Sequence, residues 1–120
     1  MSFPEIVHRL IANGVEYHHV DYARGAFSFY SATGSVMTAS LLLEGLPPIS
    51  EHFDTARLNA AILDSQQHGQ RFRAFCERAV KAGVQGYFAF LRGKRVTYAS
   101  RQGEQHTEWF PGAQPSEASQ

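Results

Sequence analysis

The chain has 120 residues, 43% of them apolar and 18% charged, which is the size and balance of one folded domain and excludes a disordered or low-complexity chain. Eleven basic and eleven acidic residues cancel, so no global field draws it to nucleic acid or to an anionic membrane surface. The single cysteine, Cys76, excludes an intrachain disulfide and a thiolate metal cluster; with no basic leader before an apolar run and no apolar stretch near the ~20 residues of a membrane helix, the expected setting is cytoplasmic.

In chain order, Phe3, Ile6, Val7, Leu10 and Ile11 follow the i, i+3, i+4, i+7, i+8 stripe of an amphipathic helix. Ser2 and Glu5 fit a capping box, Pro4 is tolerable in a first turn, and Gly14 suits a left-handed cap at the end. From 15 to 22 the period changes to two, and Val and Tyr mark a strand. Alternation sends Tyr17, His19 and Asp21 to one face and Glu16, His18, Val20 and Tyr22 to the other. A turn at Ala23–Gly25 leads into the strand AFSFYS, and after Ala32–Gly34 a third strand is expected over Val36–Leu43. The linker EGLPPISEHF carries two adjacent prolines that exclude regular helix. Asp54 is then an N-cap for a connecting helix with Leu58, Ala61, Ile62 and Ser65 on one side, broken by His68-Gly69-Gln70.

A shift of 69 positions, which carries Gly14 onto Gly83, repeats the whole first pattern. Phe72, Phe75, Cys76, Ala79 and Val80 form the second helical stripe, so Cys76 reads as a buried structural thiol. Residues 84–91, then RVTYAS, then Glu104–Phe110 are the corresponding strands. The expected fold is therefore α+β, with two α-β-β-β units (about 3–43 and 72–110, joined by a helical connector at 44–71) forming an antiparallel sheet with helices packed on one face. One domain is expected over 1–111, with a disordered tail at 112–120.

The stretch Ala82-Gly83-Val84 after its helix, the segment YASRQGEQHTEWFP, and GVEYHHVDY and FDTARLNAAILDSQQHGQ in the first half together resemble a bacterial family that includes YdfO and YbcV. These are small proteins encoded in prophages and chromosomes and often labelled phage envelope proteins. The resemblance implies an α+β domain of unknown activity without an established cofactor. No coiled coil, membrane segment or fibrous repeat accompanies the envelope label.

Four chemical readings follow from the residues. His19 with Asp21, and His106 with Glu108, offer an imidazole and a carboxylate at alternate strand positions; brought together they would make a divalent-metal or acid–base site. Arg92, Lys94, Arg95 and Arg101 with Tyr87 and Tyr98 offer single-stranded nucleic acid a basic hairpin, although neutral composition makes it the less favoured partner. Tyr17, Tyr22, Tyr30, Tyr87, Tyr98 and Trp109 could line a groove between the two units for a small molecule or peptide. The same rings could instead form core or a homodimer surface. The leading expectation is a non-enzymatic module binding a small molecule or a protein, with no cofactor and no membrane.

Overall fold

The computed structural model describes residues 3–41 and 43–113, and side chains from residue 7 onward within that span. The capping box at Ser2 and Glu5, the stripe positions Phe3 and Ile6, and most of the expected tail lie outside the described residues or side chains. Helix α1 spans Phe3–Ala12 and is followed by strands β1 (Val15–Asp21), β2 (Ala26–Ser31) and β3 (Val36–Ser40). Helices α2 (Thr55–His68) and α3 (Phe72–Lys81) come next, then β4 (Val84–Phe90), β5 (Arg95–Ser100) and β6 (Gln105–Trp109). Each element from α3 onward begins 69 positions after its counterpart in the first half, as Phe72 does after Phe3 and Arg95 after Ala26.

The six strands form one antiparallel sheet in the order β3-β2-β1-β4-β5-β6. The halves meet at β1 and β4, where His19 faces Phe88 directly. Those two residues are themselves 69 positions apart, and the strand order is symmetric about them. Both halves are also irregular at one matching place, between Val15 and Tyr17 and between Val84 and Gly86.

One face of the sheet is covered. Val20 and Tyr22 from β1 and its end, Tyr87 and Ala89 from β4, and Val96 and Tyr98 from β5 are buried there against Phe75, Cys76, Ala79 and Val80 of α3 and Leu58, Ala61 and Ile62 of α2. From α1, Val7 and Leu10 pack against this core. Burial on the order of 25 cal/mol per Å² of apolar surface makes this layer the main source of stability. The alternation read from residues 15–22 is what places β1's apolar side chains here.

Asp54 caps α2 as expected, its carboxylate accepting from the Arg57 N–H at 3.1 Å. The connector between β3 and α2 closes the far end of α3: the Ser50 N–H donates to the Val80 carbonyl at 2.9 Å and the Asp54 N–H to the Ala82 carbonyl at 2.8 Å. These bonds satisfy carbonyls that a helix end leaves free. The third strands, Val36–Ser40 and Gln105–Trp109, are shorter than expected, and beyond them the Leu41 and Phe110 N–H groups donate to the Gly25 and Lys94 carbonyls at 2.9 Å, in the turns that follow β1 and β4.

Gly14 and Gly83 both hold positive φ, 81° and 92°, but their surroundings differ. Nothing lies near a Cβ at Gly14, whereas one at Gly83 would overlap the His52 carbonyl. Gly14→Ala is expected to cost about 1 kcal/mol of backbone strain, and Gly83→Ala roughly 3 kcal/mol or more because the connector must also move. Urea unfolding of the two variants measures the difference; equal losses would show that the connector does not press on Gly83.

Candidate functional site

Register decides which side chains share the covered face. Met37, Phe29, His18, Ala89, Val96 and Glu108 oppose one another in one row across the six strands. The next row reads Ala39, Phe27, Val20, Tyr87, Tyr98 and His106. Small residues at Ala89 and Val96, between larger rings, leave a hollow. Leu10 of α1, Ile62 of α2, and Phe72 and Phe75 of α3 roof it without filling it. The result is a cavity of about 440 Å³, within the ~300–1,000 Å³ range of small-molecule sites.

Its walls are mostly aromatic and aliphatic, and several of its polar groups have partners within the protein. Gln70 donates from Nε2 to the Ala61 carbonyl at 2.7 Å and to Ser65 Oγ at 2.9 Å, while its Oε1 accepts from Arg78 at 3.2 Å. Arg78 also donates to Asp64 at 2.6 Å, so this cluster clamps the α2–α3 turn beside the cavity. Glu108 lies 3.3 Å from His106 Nε2. His18 differs. The residue is 9% exposed, and its Nδ1 is buried with no hydrogen-bond partner.

Phe27, Phe29 and Tyr87 surround the His18 ring with centroids 6.4, 5.7 and 6.2 Å away. Burial first, and then the neighbouring His19, lower its pKa from the ordinary 6.5 to about 4. At neutral pH His18 is thus an uncharged imidazole, able to donate at one nitrogen and accept at the other.

Residues 1–108 match the family DUF1398, described as a protein of unknown function. The chain belongs to the DUF1398 family. No curated protein matches it significantly.

Within this DUF1398 chain the expected site residues are sorted by the sheet. His19 and Asp21 lie on the uncovered face of β1, and His106 and Glu108 on the covered face of β6, with β4 and β5 between them. The metal or acid–base quartet does not converge, and among the described residues no group of three His, Cys, Asp or Glu side chains could hold a metal ion. Instead, His19 stacks on Phe88 at 4.2 Å, and Asp21 accepts from Gln85 Nε2 at 2.9 Å and from the Arg24 N–H at 3.0 Å. His106 and Glu108 do form the expected close pair.

The six aromatic residues are divided in the same way. Tyr22, Tyr87 and Tyr98 are buried on the covered face, and only the last two line the cavity with their rings inward. Tyr17 and Tyr30 belong by register to the other face, as does Trp109, which at the end of β6 nonetheless contributes to the lining of the cavity. The basic cluster is also split: Arg92, Lys94 and Arg95 surround the β4–β5 hairpin, while Arg101 lies beyond the opposite end of β5, 3.4 Å from the Ile49 carbonyl. Cys76 is fully buried, accepts from the Tyr22 hydroxyl at 3.4 Å, and has its pKa raised to about 11, mainly by burial. A thiol so placed is no nucleophile at neutral pH.

Because the folded pKa of His18 lies below the unfolded value, only the unfolded chain takes up its proton between pH 6.5 and 4. The folded state should lose up to roughly 3 kcal/mol over that window as pH falls, with full stability above it. His18→Phe should remove this loss and add about 1 kcal/mol at pH 7 by eliminating an unsatisfied nitrogen. Chemical denaturation at several pH values checks both; an unchanged pH profile in the variant would mean that His18 is not buried neutral.

Proposed function

We propose that the chain is a non-enzymatic binding module that takes a flat, largely apolar small molecule into the cavity between the sheet and its helices. The observation carrying this reading is the unpartnered His18 nitrogen in the wall of an aromatic hollow. A buried polar atom without a partner costs about 1–3 kcal/mol, and a ligand able to bond the imidazole would offset that cost. The neutral state of His18 favours an uncharged hydroxyl, carbonyl or amide over a carboxylate. Stacking surfaces at Phe27, Phe29, Tyr87 and Tyr98 favour a ring system over a flexible chain.

The two halves, offset by 69 positions, are read as copies of one unit in which the second has exchanged bulk for space. Val96 stands where the first half has Phe27, and Ala89 where it has Val20. Placement in the cytoplasm belongs to this proposal, supported by the single unpaired thiol. So does the prophage association that goes with the likeness to YdfO and YbcV, which the quoted segments support. Among the described residues no helix is long and apolar enough to cross a membrane.

The test is titration of 2-naphthol and of naphthalene, followed by ligand fluorescence and thermal melting. Both should bind one site, with the naphthol preferred about 2–10-fold in the wild type through one net hydrogen bond. Ala89→Leu, which fills the floor of the hollow, should abolish both without loss of folding, and His18→Phe should remove only the preference. Binding that survives Ala89→Leu unchanged would place these ligands elsewhere and refute the cavity reading.

A further inference from the structure

The uncovered face of the sheet carries an independent arrangement. In one row, Val36, Tyr30, Tyr17, Phe90, Arg95 and Trp109 oppose one another across all six strands. Tyr30 and Tyr17 stack at 4.6 Å with an interplanar angle of 10°, and Phe90 follows 6.0 Å from Tyr17. At the far end the Arg95 guanidinium lies 4.4 Å from the Trp109 ring centroid. The adjacent row supplies the His19–Phe88 stack and the bonded hydroxyls of Thr97 and Thr107, 3.0 Å apart. All three helices contribute to the cavity on the opposite side of the sheet. Phe88 remains 38% exposed.

Between Phe90 and the β4–β5 hairpin lies a depression of about 490 Å³, floored by Tyr17 and Phe90 and bordered by Arg92, Arg95, Thr97 and Thr107. Lys94 stands at the hairpin tip with a positive φ of 58°. The acidic groups nearby are already engaged: Glu16 accepts from Arg92 at 2.7 Å, and Asp21 is held by Gln85 and Arg24.

We propose that this face binds single-stranded nucleic acid, with bases stacking at Tyr17, Phe88 and Phe90 and the phosphate backbone running along Arg95 and Lys94. Aromatic planes set at strand spacing and bordered by cations are what an unpaired strand can use, because every base has a stacking face and every linkage a negative charge. A duplex hides its base faces, and the sheet is far wider than a groove. A second copy of this chain suits the face less well, since it would bring the same engaged carboxylates to the same cations. The chain's zero net charge means that attraction is confined to this border and falls steeply with salt.

Fluorescence anisotropy with a labelled oligothymidylate of roughly ten nucleotides tests the proposal, alongside sedimentation of the protein alone. The wild type should bind, with affinity falling as salt rises. Phe90→Leu and Tyr17→Leu, which keep apolar bulk but remove the stacking plane, should each weaken binding about tenfold. Arg95→Gln should lower the salt slope by about one. Ala89→Leu, which fills the inner cavity, should leave oligonucleotide binding unchanged, separating this site from the small-molecule site. Three results would overturn the proposal: no salt-dependent binding by the wild type, binding indifferent to the Leu and Gln variants, or a stable dimer that Phe88→Glu dissociates. Competition by thymidine monophosphate as effective, per nucleotide, as the oligomer would assign the depression to free nucleotides and equally overturn it.

Discussion

At the middle of the sheet, Gly86 lies so close to the Val20 carbonyl oxygen that a Cβ there would overlap it. The missing side chain lets β1 and β4 approach in the register that puts Asp21 opposite Gly86, His19 opposite Phe88 and Tyr17 opposite Phe90. Strand alternation then leaves no freedom. With the central pair in place, from Tyr17 onward every odd-numbered position of β1 belongs to the uncovered face and every even-numbered one to the covered face; before it, the irregularity between Val15 and Tyr17 turns Val15 toward the core. A slip of one residue would bury Asp21 and expose Val20, a cost far larger than any single side-chain contact returns.

The same constraint separates two neighbouring histidines into different chemistry. His18 is enclosed by Phe27, Phe29 and Tyr87, loses the charge that water would stabilise, and becomes a neutral polar group in an apolar wall. His19, one position on, lies against Phe88 at the meeting of the halves. The cavity exists because Ala89 and Val96 are too small to fill the span between the His18 and Glu108 ends of their row. Helices α2 and α3, clamped together by Gln70, Arg78 and Asp64, form part of the layer over that span.

Much of this architecture is legible in the residues. The helical stripes, Gly14 and Gly83, Asp54 before α2 and the period-two runs identify the elements, and the sorting of residues 17–22 into two faces agrees with the structure, whereas Glu16, expected beside His18, borders the depression next to Tyr17 because of the irregularity between Val15 and Tyr17. Strand order and register are not local properties, and the site depends on both. From sequence, His106 and Glu108 carry the same spacing as His19 and Asp21, yet two intervening strands and opposite faces separate the pairs. Tyr87 and Tyr98 look like companions of the Arg92–Arg95 hairpin but turn inward, while Phe88 and Phe90, unremarked between them, turn outward. Ala89 and Val96 carry no chemical signal at all. Their smallness matters only once Phe29, His18 and Glu108 are known to share their row. The one hint available was His18 itself, a polar residue on the side of β1 that otherwise reads as core.

The central claim is that His18 is a neutral, enclosed imidazole serving as the polar anchor of an inner cavity. Long-range proton–nitrogen NMR of the histidine rings reads this directly, through the nitrogen shifts of His18 across pH and with 2-naphthol present. Those shifts should stay those of a neutral ring down to about pH 5 and move on saturation with the ligand. A His18 that takes up its proton near pH 6.5, and whose nitrogens ignore the ligand, would contradict the account.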